Sequence, residues 1–352
     1  MRVALVLGSG GARGYAHMGA LAEIRERGHE VVTVAGTSMG ALIGGLIAAG
    51  KLDEFDQWAR ALTQRAVWKL LDPTLTGPGM IRADRVVGEV ARMLDGARIE
   101  DLPLPFTAVA TDLTHHREVW FQRGPLDVAI RASIAIPSVI TPVLLDGRLL
   151  ADGGLTNPVP IEPTLAVPSD VTIAISLAGR PLADPADAEV QHRASVHTAA
   201  AGAAPETGAS SAGRPAPALA AWEGLSQAAV DAARRLTGTA AEAISSAPLV
   251  RSLTSRFVQG TGAGDVGAPG NAEVTRPEFS TLPPDVKLSE VVTRSLDTMQ
   301  TMIERYRLAA NPPDVLVQVP VNLCSTYDFH KAAYVSDVGR RLTAEALDAA
   351  GL

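Results

Sequence analysis

The stretch Gly36-Thr37-Ser38-Met39-Gly40 constrains this chain more than any other. It is a G-x-S-x-G segment set between two apolar runs. Upstream, residues 30–35 are rich in β-branched side chains and read as a short buried strand. Downstream, residues 39–49 are small, apolar and free of proline, and Gly50 is placed to end a helix. Ser38 therefore stands at a strand-to-helix corner, with glycine two residues to either side so that strand and helix pass closely. Such a corner strains the backbone and lifts the hydroxyl clear of the sheet. It also points the positive end of a helix at negative charge developing nearby. A bare G-x-S-x-G is common; the strand before it and the Gly44-Gly45 helix after it give this one its weight.

The same alternation opens the chain. Residues 3–7 read as a buried strand, 8–14 as the loop Gly8-Ser9-Gly10-Gly11-Ala12-Arg13-Gly14, and 15–27 as a helix stopped by Gly28. Strand, helix, strand, helix in so short a span predicts a parallel sheet with right-handed crossovers. Helices are expected over 53–63 and 83–94, with Asp72-Pro73 and Gly77-Pro78-Gly79 in a loop between them. Strands follow at 106–111 and 118–121, then a helix over 125–135. A D-G turn at Asp146-Gly147 joins 143–145 to 148–150 as a hairpin, which delivers the chain to Asp152-Gly153-Gly154. Residues 171–177 form a further buried strand.

From about 181 to 285 the composition shifts to Ala, Gly, Ser, Thr and Pro, and strand patterns stop. This is an expected insertion with flexible parts and a helix near 219–246. The mostly alanine stripe of that helix favours packing on the domain over a lid or interfacial helix touching lipid. Helical periodicity returns at 289–308 with Ser289 as N-cap, followed by a strand at 315–319 and a terminal helix ending at Gly351. Residues 1–180 and 286–352 are thus expected to build one domain and one sheet.

Composition narrows the function classes. With 47% hydrophobic and 20% charged residues the chain is ordinary for a soluble globular protein. A net charge of −7 argues against nucleic-acid binding, which needs a clustered basic surface. The single cysteine, Cys324, excludes an internal disulfide, suits a reducing compartment, and reads as a small buried apolar residue. The N-terminus lacks the apolar core of a signal peptide, and the apolar run at 39–49 is far short of the ~20 residues that span a bilayer. A cytoplasmic location is expected, with peripheral contact at the inner face of the membrane left open.

Three elements carry chemistry: the glycine loop, Ser38 and Asp152. A serine hydroxyl attacks only when a neighbouring base takes its proton, and the resulting oxyanion needs preorganised donors. The amides of a loop that follows a strand and opens a helix can supply them. A dinucleotide loop is the weaker reading, since Arg13 stands where G-x-G-x-x-G counted from Gly8 requires glycine, and no acidic residue ends the second strand. For the base there are seven histidines. His192 and His197 fall in the insertion, His29 at a turn, His17 inside the first helix and His115-His116 in a loop. Only His330 gives the Ser–Asp–His order of α/β-hydrolases, and its surroundings read as a helix start. Asp152, after an apolar strand and before two glycines, is the better candidate, although an ordinary aspartate is a feeble base without a hydrogen bond to its serine.

Together these stretches resemble the patatin-like phospholipases, in particular the bacterial branch similar to the catalytic domain of neuropathy target esterase. The resemblance rests on 8–17, on Gly36 to Gly40, on Arg131-Ala132-Ser133-Ile134-Ala135-Ile136-Pro137, and on 146–154, and it covers roughly 1–180 and 286–340. It implies a three-layer α/β/α fold and a Ser38–Asp152 dyad acting without histidine, metal or cofactor. It also implies an oxyanion hole from the amides of Gly10, Gly11 and Ala12. Gly8, Arg13, Gly14, Gly36, Gly40, Gly153 and Gly154 would support these motifs, Arg13 by bracing the loop. Ser9 stands where many members have glycine. The expected activity is a serine lipid acyl hydrolase of the phospholipase A or lysophospholipase type acting on lipid acyl esters. The alternatives are an acyltransferase using the same acyl-enzyme, or a non-catalytic lipid-binding protein.

Overall fold

A computed structural model describes residues 1–70, 79–81, 83–181 and 288–352. The expected helix near 219–246, His192 and His197 lie outside these residues, as do Asp72-Pro73 and Gly77-Pro78. The strands are β1 (Arg2–Leu7), β2 (Glu30–Thr37), β3 (Gly79–Ile81), β4 (Phe106–Asp112), β5 (Arg117–Phe121), β6 (Ser138–Ile140), β7 (Val143–Leu145), β8 (Arg148–Asp152), β9 (Val171–Gly179) and β10 (Val315–Pro320). The α-helices are α1 (Ala16–Glu26), α2 (Met39–Ala48), α3 (Leu52–Arg60), α4 (Gln64–Leu70), α5 (Asp84–Leu94), α6 (Leu126–Ser133), α7 (Leu288–Ala310) and α8 (Ala332–Ala350).

The main sheet runs β10-β9-β1-β2-β4-β8-β7, with β5 also paired to β4. The pairs from β10 through β4 are parallel, while β5 and β8 lie antiparallel to β4. Period-2 alternation distributes the side chains of these buried strands between two faces. Val3, Leu5 and Leu7 of β1 join Ile173, Ile175 and Val317 in the large core with α1, α2, α3, α5, α6 and α8. Val6 and Ala174 point the other way, onto Val159 and Ile161, where Leu308 of α7 closes the thinner layer. The result is a three-layer α/β/α arrangement. β9 and β10, which flank the expected insertion in sequence, pair directly.

The D-G hairpin forms as expected: Asp146 and Gly147 have φ of 49° and 74°, the two positive values of a type I′ turn. Other boundaries moved. The first helix begins as a 3-10 turn over Gly11–Tyr15 before α1, because the glycine loop winds tightly into it. Ser289 lies inside α7, which already runs at Leu288, and is not its N-cap. Helix α4 and the two-stranded β3–β6 sheet had no expectation. The strands of that pair are three residues each, too short for a period to register.

Candidate active site

Strand β4 acts as a ruler that brings the two ends of the site together. Its residues Ala108 and Val109 pair with both β2 and β5, so β2 lies on the edge opposite β5. Ala110 to Asp112 pair with both β5 and β8, so β8 takes over the edge that β2 has left. β2 ends with Thr37 opposite Val109, and β8 ends with Asp152 opposite Ala110. Ser38 and Asp152, 114 residues apart in sequence, therefore meet end to end, and the Ser38 hydroxyl donates to Asp152 Oδ2 at 2.5 Å.

The corner at Ser38 is strained. Its φ of 57° and ψ of −123° lie where non-glycine residues rarely go, at a cost of about 1–3 kcal/mol. Packing around it holds that conformation in place. A Cβ at Gly36 would stand 2.2 Å from Gly40 O, and one at Gly40 would stand 2.0 Å from Leu7 O, so neither position admits a side chain without backbone movement. The Ser38 amide donates to Ser133 Oγ at 2.8 Å, and the Ser133 hydroxyl donates onward to Val109 O at 2.6 Å. One buried hydroxyl thus ties the strained residue to the ruler strand. Thr37 Oγ1 anchors the other side by donating to Asn157 O at 2.8 Å.

Asp152 is fully buried and fixed on both oxygens: Oδ1 accepts the Gly154 amide at 2.7 Å while Oδ2 accepts Ser38. Its own amide donates to Ala135 O, and Thr111 Oγ1 donates to its carbonyl. Burial pushes its carboxyl up to about 6, against the downward pull of the bonds from Ser38 and Gly154. A carboxylate with that value is a far better proton acceptor near neutral pH than an ordinary aspartate.

The glycine loop lies beside them. The amides of Gly8 and Ser9 are used by Ile175 O and Pro158 O, whereas those of Gly10 and Gly11 have no protein acceptor among the described residues. Ala12 departs from expectation. After the left-handed turn at Gly11 (φ 57°) its N–H faces the 326 loop and donates to Thr326 O at 3.0 Å, so it is not free. Arg13 is buried and its Nη1 donates to Val321 O at 3.0 Å, a brace between the loop and the segment after β10. Gly14 packs under Met39, where a Cβ would come within 2.1 Å of Met39 Cγ, and Gly153 packs against Val109 O.

None of the described histidines bonds to Ser38 or Asp152. His17 is fully buried behind the loop, bonded through Nε2 to Gly8 O at 2.9 Å, and burial lowers it to about 4, so it is neutral. His115, itself exposed, pairs with the buried Asp112. His330, half-buried in the 3-10 turn Phe329–Lys331, lines neither cleft of the site. Cys324 is buried, which raises its thiol further from reactivity.

Two clefts meet at the dyad. Ser38 opens on a cleft walled by Tyr15, Phe55, Trp58, Leu42, Val67 and Phe329 among others. Its aromatic rings support one another, Tyr15 packing on Phe55 at 6.3 Å and edge-on to Phe329 at 6.1 Å. Asp152 opens on a second cleft, with Ser9, Arg13, Asp297, Gln300 and Glu304 in its walls. The roles of Ser133 and Asn157 were not read from the sequence. Ser133 had a signal, a small hydroxyl inside the apolar 131–137 segment; Asn157 had none.

A family model described as patatin-like phospholipase matches residues 5–165, a span that contains the glycine loop, the Ser38 corner and Asp152. An NTE family protein of Mycobacterium tuberculosis is 42% identical over 358 residues, covering 99% of this chain and 92% of that one. The chain belongs to the patatin-like phospholipase family. The human patatin-like phospholipase domain-containing protein 6 is 34% identical over 182 residues, half of this chain and 13% of that protein. VipD from Legionella pneumophila, a solved structure, overlays with a TM-score of 0.41 at 13% identity, across 99% of this chain and 66% of that one, too loosely to argue from. Membership of this patatin-like family, with its mainly parallel sheet between helical layers, sets the chain among lipid acyl hydrolases.

Proposed function

We propose that this protein is a serine carboxylic ester hydrolase of the phospholipase A or lysophospholipase type, with Ser38 as nucleophile and Asp152 as its base. The observation that carries the reading is the buried 2.5 Å bond from Ser38 to Asp152, set between an apolar cleft and two unused amides. Asp152 accepts the Ser38 proton as Oγ attacks the ester carbonyl. The Gly10 and Gly11 amides receive the oxyanion, the alcohol departs with the proton, and water then releases the fatty acid. The acyl chain occupies the apolar cleft, where each buried methylene contributes roughly 0.8 kcal/mol. Residues 1–180 and 286–352 form the hydrolase, and 181–285 an insertion into it.

Contact with a lipid surface fits the same reading. Val67 and Leu70 line the apolar cleft, and Trp68 between them on α4 is 63% exposed, a side chain suited to the membrane interface. No helix among the described residues is long and apolar enough to cross a membrane.

The test is hydrolysis of p-nitrophenyl acyl esters and lysophospholipids by wild type, Ser38→Ala, Asp152→Asn and His330→Ala. The first two substitutions abolish turnover and the third leaves it intact. A dead His330→Ala enzyme with its fold preserved would replace the dyad by a triad.

A further inference from the structure

The polar cleft contains two side chains for which the steps above have no use. Ser9, on the glycine loop, and Gln300, on α7, line it together with Asp152. Measured from the point where a Cβ on Gly154 would stand, Ser9 Oγ is 2.8 Å away, Gln300 Nε2 2.9 Å and Asp152 Oδ1 3.0 Å. Three elements distant in sequence thus bring these three polar atoms within about 6 Å of one another beside the base, a separation that one water can bridge. Neither the Ser9 hydroxyl nor the Gln300 amide has a hydrogen-bond partner among the described residues. Both are half-buried, and polar groups in such a place carry a cost unless water or a ligand engages them. These atoms line the Asp152 cleft, whose walls do not include Ser38. A bound acyl chain fills the Ser38 side, so the alcohol must leave, and water must enter, by this one.

We infer that Ser9 and Gln300 hold the deacylating water beside Asp152, and so set whether the acyl group passes to water or to another alcohol. The inference rests on the Ser38–Asp152 reading. The water oxygen bonds to the acyl carbon as the bond from that carbon to Ser38 Oγ breaks. One water proton goes to Asp152 and from there to Ser38 Oγ, and the other leaves on the carboxylic acid. Ser9 and Gln300 transfer no proton. They orient the oxygen, with the amide offering a donor and an acceptor and the hydroxyl either. An alcohol places an alkyl group where water places a second hydrogen, so a polar pair at this spot favours water.

Partitioning tests this directly. Wild type, Ser9→Ala, Gln300→Leu and Gln300→Glu each act on p-nitrophenyl butyrate in buffer containing methanol, and the ratio of methyl butyrate to butyric acid is measured. The ratio is a property of the acyl-enzyme alone, so a preparation that is only partly folded does not alter it. It rises about fivefold to tenfold in Ser9→Ala and Gln300→Leu, the effect of one ordinary hydrogen bond, and Gln300→Glu stays nearer wild type. A ratio unchanged in both apolar variants overturns the water site. Fluorophosphonate labelling of the wild type runs in parallel: an enzyme that labels at Ser38 with an unchanged ratio loses only this inference. One that never labels there loses the dyad as well.

Discussion

The cleft beside Ser38 and the cleft beside Asp152 share Gly11, Ile136, Val139, Thr326 and Tyr327, yet only the second also has charged and amide side chains in its walls. The first is built from α2, α3, α4 and α5, whose inward faces are aliphatic and aromatic. The second takes one wall from α7, which presents Asp297, Gln300 and Glu304. Glu304 is buried with its carboxyl raised by desolvation and receives the Ser176 hydroxyl, while the Arg13 guanidinium faces Asp297. The contrast teaches a division of labour across one hydrogen bond. An apolar wall grips a chain without orienting it, since burial is non-directional. Orientation of the alcohol and of water is left to directional polar groups on the other side.

The largest effects come from breaking the bond where the clefts meet. Ser38→Ala lowers kcat by at least about 10⁴-fold, as loss of a nucleophile does in serine hydrolases, with the melting temperature held. Asp152→Asn costs about 10³- to 10⁴-fold in kcat, read on the same esters. It also carries a stability signature. The folded-state carboxyl is raised from 3.8 to about 6, so its contribution to stability is fully present below 3.8 and lost as the pH rises through 6. At about 1.4 kcal/mol per unit this loss is of order 3 kcal/mol. Urea unfolding should therefore find Asp152→Asn more stable than wild type at pH 8, and the difference gone by pH 4.

A smaller effect separates the two sides. Val86 is half-buried in the apolar wall, and Val86→Trp fills the space of several methylenes. At ~0.8 kcal/mol each, kcat/KM for a hexadecanoyl ester falls about 100-fold while that for the acetyl ester changes less than about threefold. An equal fall for both chain lengths would mean the chain does not lie there.

Smaller again is Ser133→Ala, which strands the buried Ser38 amide and Val109 carbonyl. Stability drops by about 1–3 kcal/mol in denaturant, and kcat falls about tenfold with KM unchanged, because the strained corner is held less well.

How much of this was legible in the sequence follows from range. The Ser38 corner is a local object: a β-branched strand, a small apolar helix and flanking glycines all lie within a few residues. The approach to Asp152 was legible for the same reason, through the D-G turn that sets the hairpin register. The meeting of the two depends on strand order, which residue patterns alone do not encode; four motifs in family order supplied it. Contacts made purely by tertiary placement were hidden. Nothing near Ala12 announces that Thr326 O will take its amide, and nothing near Gln300 announces Ser9. Ser133 lies 95 residues from the amide it accepts. The five helices and seven strands expected before residue 180 left out, among the α-helices and strands of the described residues, only the short elements α4, β3 and β6.

The pH dependence of kcat/KM is the measurement that bears most directly on the central claim, that a buried aspartate serves Ser38 without a histidine. The base must be ionised, so the rate falls tenfold per unit as the pH drops below an inflection near 6, set by the raised carboxyl of Asp152. Wild type and His330→Ala should trace the same curve. A profile flat from pH 5 to 7, or an inflection that disappears with His330→Ala, would contradict the account.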